Sequence, residues 1–364
     1  VSEQEALAGV PTTEEESGDE GPLWTRQTLT GDWGGRRKRL AERGIAFEFT
    51  YTGDVFGIVS GGVHRRASYL DDWDLTLTGD LDPLVGWKGG SFFVYGLGNG
   101  GTGSPSANAG DIQTLDNIDA PKTWKLYEAW FQQQLLDEKL SILAGLYNLN
   151  GEFDVIDTAS VFINSSFGIG KDYSQSGENG PSIFPTTAVA LRVKAKPVEH
   201  TYVQIAALDG VAGDPSHPHG TQFDFDSKNG FLLAGEVGYL VGQEPGSEED
   251  YLKLARGGWY YTANFDQIDG VDTDGNPLRR HGNYGMYALG EGAAYREPGA
   301  PDQGLSVFGR VGFAESEFNP IGVYLGAGAV YTGLIPGRDA DRLGLGVAAA
   351  FAGHDLKQAA DAAG

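Results

Sequence analysis

The stretch KLYEAWFQQQLL, residues 125–136, decides how this chain folds. At helical spacing its apolar residues form no stripe. As a strand, successive side chains point to opposite faces. Glu128, Trp130, Gln132 and Gln134 then share one face, and Tyr127, Ala129 and Phe131 share the other. The first face is polar with a single aromatic ring, and the second is greasy. Such a ribbon suits a soluble sheet or the wall of a water-filled passage.

The same period of two recurs along the chain. FEFTYTGDVFG (47–57) sets Phe47, Phe49, Tyr51 and Val55 against Glu48, Thr50, Thr52 and Asp54. DWDLTLTGDL (72–81) sets Leu75 and Leu77 against Asp74, Thr76 and Thr78. ALRVKAKP (190–197) sets Leu191 and Val193 against Arg192, Lys194 and Lys196. TYVQIAALDG (201–210) sets Val203 and Ile205 against Tyr202 and Gln204. RGGWYYTANF (256–265) and LSVFGRVGF (305–313) repeat the pattern, the latter with Arg310 on its polar side. Candidate strands fall at 46–58, 69–81, 90–98, 124–135, 140–148, 186–196, 200–208, 229–241, 250–263, 283–295, 303–313, 321–333 and 341–351. Many reach about 10 residues. Ordinary strands average about 5–6, whereas a tilted membrane-crossing strand needs about 9–11.

The gaps between these strands alternate long and short as far as 296–302. An up-and-down membrane barrel has long loops at one rim and short turns at the other. Aromatic residues sit near strand ends, as at Tyr51, Trp87, Phe131, Tyr239, Tyr261 and Tyr331. Girdles at two membrane interfaces would place them there. The expected fold class is therefore all-β, a transmembrane antiparallel up-and-down barrel.

Composition narrows the function. The chain has 364 residues, 56 glycines, one methionine and no cysteine. That excludes a disulfide scaffold and thiolate metal sites. A net charge of −24 makes a nucleic-acid partner unsuitable, because phosphate is repelled. No apolar run is long enough for a membrane helix, and no signal peptide is present. Residues 1–27 are acidic and are expected to form a disordered tail. TGDWGGRRKRLAERG (30–44) reads as a basic helix, capped by Asp32 and stopped by Gly44. It is either a solvated surface helix or an anchor that meets acidic groups.

Other motifs carry little. GIGKD (168–172) lacks the spacing of a phosphate loop. DGVDTDGNP (269–277) resembles a calcium loop only loosely and reads as a hairpin turn or outer loop. SHPHG (216–220) places His217 and His219 in a solvated loop. No carboxylate pair stands out for hydrolysis. The reading therefore assigns no catalytic residue, metal or cofactor.

Several long pieces resemble the carbohydrate-selective outer-membrane porin (OprB) family. They are LTGDWGGRRKRLAERGI (29–45), YLDDWDLTLTGDLDPLVGWKGGSFFVYGL (69–97), WKLYEAWFQQQLLDEKLSILAGLYNLNGEF (124–153), FINSSFG (162–168), GLSVFGRVG (304–312) and GAGAVYTGLIPGRDADRLGLGVA (326–348). The resemblance implies a sixteen-stranded barrel in the outer membrane of a Gram-negative bacterium, passing mono- and small oligosaccharides by diffusion. Residues 28–45 would be a periplasmic helix. Residues 46–364 would supply about 13 of the 16 strands, because the family ends in further strands where this chain ends in HDLKQAADAAG (354–364), which reads as polar and turn-like.

On that reading the polar registers face the lumen. The candidate pore-lining residues are Glu128, Trp130, Gln132, Arg192, Lys194, Tyr202 and Arg310. The longest gap, 149–185, is expected to fold inward as a constriction, offering Asn150, Glu152, Asn164, Ser165 and Phe167. Carboxylate and amide groups can hydrogen-bond sugar hydroxyls, and an indole face can stack on a pyranose. Two alternatives stay open: Trp130 packing beneath a loop, and the lumen cations forming a salt-bridge network that stiffens the wall. The implied partners are sugars such as glucose and outer-membrane lipids, with a homo-oligomer possible. The rival functions are a soluble all-β carbohydrate-binding protein or glycosidase, or a porin for another small solute.

Overall fold

A computed structural model describes residues 28–223, 225–242 and 250–363 of the chain. The acidic segment 1–27 lies outside them. Thirteen strands form one antiparallel sheet in which every strand pairs with its neighbours in sequence. They are β1 (Ile45–Gly57), β2 (Ala67–Asp80), β3 (Gly90–Gly101), β4 (Thr123–Leu135), β5 (Leu140–Tyr147), β6 (Ala188–Val198), β7 (Thr201–Asp209), β8 (Phe231–Val241), β9 (Leu252–Val271), β10 (Pro277–Glu297), β11 (Ala300–Ala314), β12 (Ile321–Thr332) and β13 (Arg342–Ala352). Each candidate strand of the sequence reading corresponds to one of these. Among the described residues, β1 and β13 each pair on one side only.

The sheet inverts the polarity of a soluble protein. On β7, Tyr202, Gln204, Ala206 and Leu208 are buried, while Val203 and Ile205 are exposed. On β1, Phe47, Phe49, Tyr51 and Val55 are exposed. Leu233 and Val237 of β8, Val307 and Phe313 of β11, and Leu343, Leu345 and Val347 of β13 follow. An apolar outer belt alternating with a polar inner face is the signature of strands that cross lipid.

What fills the inner face is the segment between β5 and β6. Residues 148–187 touch strands across the sheet from Glu128 on β4 to Arg342 on β13. One segment reaches the same face of so many strands only if the sheet curls around it. Phe162 and Phe167 pack against Phe308 of β11. Tyr173 lies parallel to Trp259 of β9, with ring centroids 5.2 Å apart.

Four expectations are corrected. Tyr127 does not face lipid. β3 pairs Tyr95 with Glu128 and Gly96 with Leu126, so Tyr127 is the extra residue of a β-bulge. A bulge turns two consecutive side chains the same way, and Tyr127 and Glu128 are both buried inside. Tyr127 meets Tyr95 edge-on at 4.9 Å. Below the bulge the alternation resumes, with Phe131 outward against Trp87. Second, the basic helix is shorter, Arg36–Ala41, and Gly35 occupies its N-cap. Asp32 still accepts a hydrogen bond from the Lys38 amide. Gly44 closes the segment at a positive φ of 81°, where a Cβ would strike the Asp80 carbonyl. Third, the gap 264–282 is largely strand, because β9 and β10 run on as a hairpin past the other strands. Asp272 holds its turn by accepting from the Asp274 and Asn276 amides. Fourth, His354–Ala363 is a helix rather than a turn.

Arg256 breaks the outer pattern. It is exposed on β9, opposite Val237 and Ala288, whose side chains also point outward. An arginine on the lipid face costs about 2–4 kcal/mol at the membrane midplane and less toward the interfaces. Arg256→Leu is therefore expected to raise the stability of the membrane-inserted protein by about 2 kcal/mol, and Ile205→Arg to lower it by a similar amount. Urea titration in lipid vesicles, read by gel mobility of unheated samples, measures both.

Candidate functional site

The inner wall and segment 148–187 are joined by a chain of buried charges. On β4, the Glu128 carboxylate accepts from the Asn148 amide at 3.0 Å and from the Trp130 indole at 3.1 Å. On β6, the Arg192 guanidinium donates to Glu152 at 2.7 Å, to Ser141 Oγ at 2.6 Å and to Gln132 at 2.7 Å. Lys194 reaches the other Glu152 oxygen at 3.2 Å and lies over the Tyr202 ring. On β8, Glu236 accepts from the Asp154 amide, the Tyr202 and Tyr287 hydroxyls and the Gln204 amide group. On β10, Glu291 accepts from the amides of Asp157 and Thr158. Lys253 of β9 donates to the Val155 carbonyl at 2.7 Å. On β11, Arg310 binds Asp154 through two nitrogens, at 2.7 and 2.6 Å, and Asp172 at 2.7 Å.

Wall carboxylates thus hold the segment's backbone amides, and wall cations hold its carboxylates. Buried polar groups are costly unless satisfied, so each contact both fixes the segment and removes a penalty. Space for the deepest of them comes from glycine. A Cβ at Gly312 would overlap the Asp172 carboxylate, and one at Gly170 would overlap the Arg310 guanidinium.

The proposed pore-lining side chains all point inward, and most are sealed. Arg192 is 1% exposed, Glu128 2%, Gln132 3%, Trp130 and Arg310 6%, and Tyr202 7%. Trp130 packs on Phe93 at 5.3 Å under the inward segment. Its face is closed to a passing sugar in this arrangement. Of the two readings left open, packing beneath a loop describes Trp130, and a salt-bridge network describes Arg192 and Arg310. Lys194 differs: its side chain keeps 30% exposure. Within the segment, Asn150 donates to the carbonyls of Phe153 and Gly168. Asn164 caps the turn Ser165–Phe167 by accepting from the Ser166 amide. Phe167 stacks on Phe162 at 4.5 Å. Glu152 receives the Tyr147 hydroxyl at 2.7 Å besides its two cations.

Sequence reasoning missed Glu236, Lys253, Glu291, Asp154 and Asp172. The first three were available from the rule that selected Arg192. Each is a charged residue on the inward register of an otherwise apolar strand, as in FLLAGEVGYL, LKLARGG and ALGEGAAY. The aspartates carried no such signal, because the irregular segment has no period.

Burial pushes both segment carboxylates up, and their neighbours decide where each ends. Burial alone would raise Glu152, but Lys194 and Arg192 overcome it and hold the carboxyl below its ordinary value. Asp154 is pushed up to about 6 by burial, against the pull of Arg310, with Asp172 and Glu236 adding repulsion.

A sheet with an apolar outer belt, curled round an inward-folded and charge-locked loop, is a porin. The chain belongs to the family described as "Carbohydrate-selective porin, OprB family", whose model matches residues 64–364. Porin B of Pseudomonas aeruginosa is 29% identical over 352 residues, covering 91% of this chain and 75% of that protein. A high-pH structure of Pseudomonas putida OprB superposes with a TM-score of 0.79 at 23% identity, over 92% of this chain and 81% of the other. The low-pH structure of the same protein gives 0.55 at 21% identity, over 88% and 82%. The family consists of channels and is not enzymatic.

Two predictions follow from the lock. Arg310→Ala leaves Asp154 and Asp172 buried without a cation, which costs about 3–5 kcal/mol. The expected result is a lower unfolding temperature and a larger, noisier single-channel conductance as the segment loosens. Lysine at that position, lacking a planar fork, should recover only part of the loss. The second concerns pH. Asp154 titrates near 6 when folded against an ordinary 3.8, so the folded protein binds the extra proton between those values. Its contribution to stability is greatest below about pH 4, falls as pH rises to about 6, and is constant above. Asp154→Asn should remove that slope between pH 4 and 6, measured as the melting temperature of the variant minus that of the parent protein.

Proposed function

We propose that this porin admits sugars to a Gram-negative cell by passive diffusion through the outer membrane, favouring neutral mono- and small oligosaccharides. The observation that carries the reading is the fixed obstruction: segment 148–187 is tied to the wall at Glu128, Arg192, Glu236, Glu291 and Arg310. A lumen narrowed by a rigid loop selects by size and by hydrogen bonding, with binding weak enough for release. The inward residues of β1 and β2 are not sealed by the segment. Glu48, Thr50, Thr52, Thr76 and Thr78 there are only half-buried and offer hydroxyl and carboxylate partners to sugar hydroxyls. The family description agrees with this reading, and the Pseudomonas aeruginosa relative is named a porin.

A soluble lectin or glycosidase would carry its apolar side chains inside, and here they form the outer belt. A porin for another solute is the rival that matters. In planar bilayers, glucose at rising concentration is expected to reduce single-channel ion current in a saturable way, while an aromatic acid does not. Saturable block by the acid alone would overturn the sugar reading. A homo-oligomer is compatible with the outer face, and cross-linking in native membranes would reveal it.

A further inference from the structure

At the rim that carries the long loops, a cavity of about 250 Å³ opens between three segments. Its floor is the start of β4, with Lys125 on the inward register. Its sides are residues 179–186, where the inward segment returns to the wall. Its roof is the β7–β8 loop. The roof is stapled in place: His219 meets the Lys122 carbonyl at 2.9 Å, the Gly220 amide donates to Thr123 Oγ1 at 2.7 Å, and Thr221 Oγ1 donates to the Leu126 carbonyl at 2.8 Å. Asn179 bonds the Ala212 carbonyl and ties side to roof. The cavity is therefore preformed.

We propose that this cavity is an entry site that captures a single neutral pyranose before it reaches the constriction. The assignment rests on the sugar reading above and deepens it. The lining pairs an apolar wall, including Phe184 and Pro185, with polar groups from Lys125, Asn179, Asp214 and Gln222. An aromatic wall suits the CH face of a sugar ring, and the polar groups supply both donors and acceptors for hydroxyls. Lys125 uses two ammonium protons on the Pro185 carbonyl and Thr186 Oγ1, which leaves a third for a ligand. Asp214 is an acceptor already oriented by the Ser216 amide and hydroxyl and by His217. One cation and one carboxylate balance each other, so a charged ligand gains nothing over a neutral one. Drug-sized pockets run to roughly 300–1,000 Å³, and this smaller volume matches a monosaccharide rather than a chain of sugars.

The test is calorimetric titration of glucose into the full chain in detergent, alongside bilayer recordings. The parent protein should bind one glucose per chain at this site. Lys125→Met and Phe184→Leu should each weaken that binding about tenfold, the worth of one lost charge-assisted hydrogen bond or ring contact. Lys122→Met, whose side chain is not part of the lining, should leave it unchanged. Circular dichroism and heat-dependent gel mobility establish that each variant is folded. Unchanged affinity in both folded lining variants overturns the entry site, and sugar block of the parent current would then leave the porin reading standing. Loss of affinity in Lys122→Met equal to that in Lys125→Met also overturns it. If glucose neither binds the parent protein nor blocks its current, both readings fall.

Discussion

Irregular backbone cannot lie at membrane depth unless every amide and carbonyl finds a partner there. Segment 148–187 is that backbone, and much of the interior is organised around satisfying it. The wall supplies what the segment lacks at each crossing. Glu128, Glu236 and Glu291 accept its amides, and Lys253 donates to one of its carbonyls. Arg192 and Arg310 neutralise its carboxylates. These side chains look misplaced if each strand is considered alone. They are intelligible only as the receiving half of a contact whose other half is far away in sequence, 156 residues for Arg310 and Asp154.

This explains what could be read from the sequence. Alternation with a period of two fixes which face of a strand is wet, and most strands announced themselves that way. β9 did not, because its aromatic register, Trp259 and Tyr261, is buried against the inward segment while Tyr260 is exposed. Phe49, Val203 and Val307 lie outside, as their register required. Tyr127 escaped because a bulge adds one residue and flips the phase, and no turn residue marks it. The direction of the charged side chains was legible and their partners were not. Register says that Arg192 points inward, but not that Glu152 waits there. Trp130 shows the limit most clearly: an inward indole in a channel wall suggests a sugar contact, but strand pairing sets it beside Phe93 of β3, and its face is buried.

The electrostatics of the interior argue about the solute. Arg192, Lys194, Lys253 and Arg310 are wall cations met by the inward segment, and each faces a carboxylate or carbonyl of that segment. Glu128, Glu236 and Glu291 face backbone amides or hydroxyls rather than cations of the segment, while Asp154 and Asp172 share the one guanidinium. The carboxylates held this way sit in a chain whose net charge is −24. A focused negative field inside a narrow, low-dielectric passage repels anions and concentrates cations. On the sugar reading proposed above, neutral solutes would cross it without either effect, and hydroxyl-rich ones would exchange water for the Thr and Glu side chains of β1 and β2. Because Arg192 and Arg310 are committed to holding the loop, they are not available to attract anionic substrates. The contacts that fix the inward segment therefore also commit both arginines, so altering either one changes the hold on the loop and the local charge together.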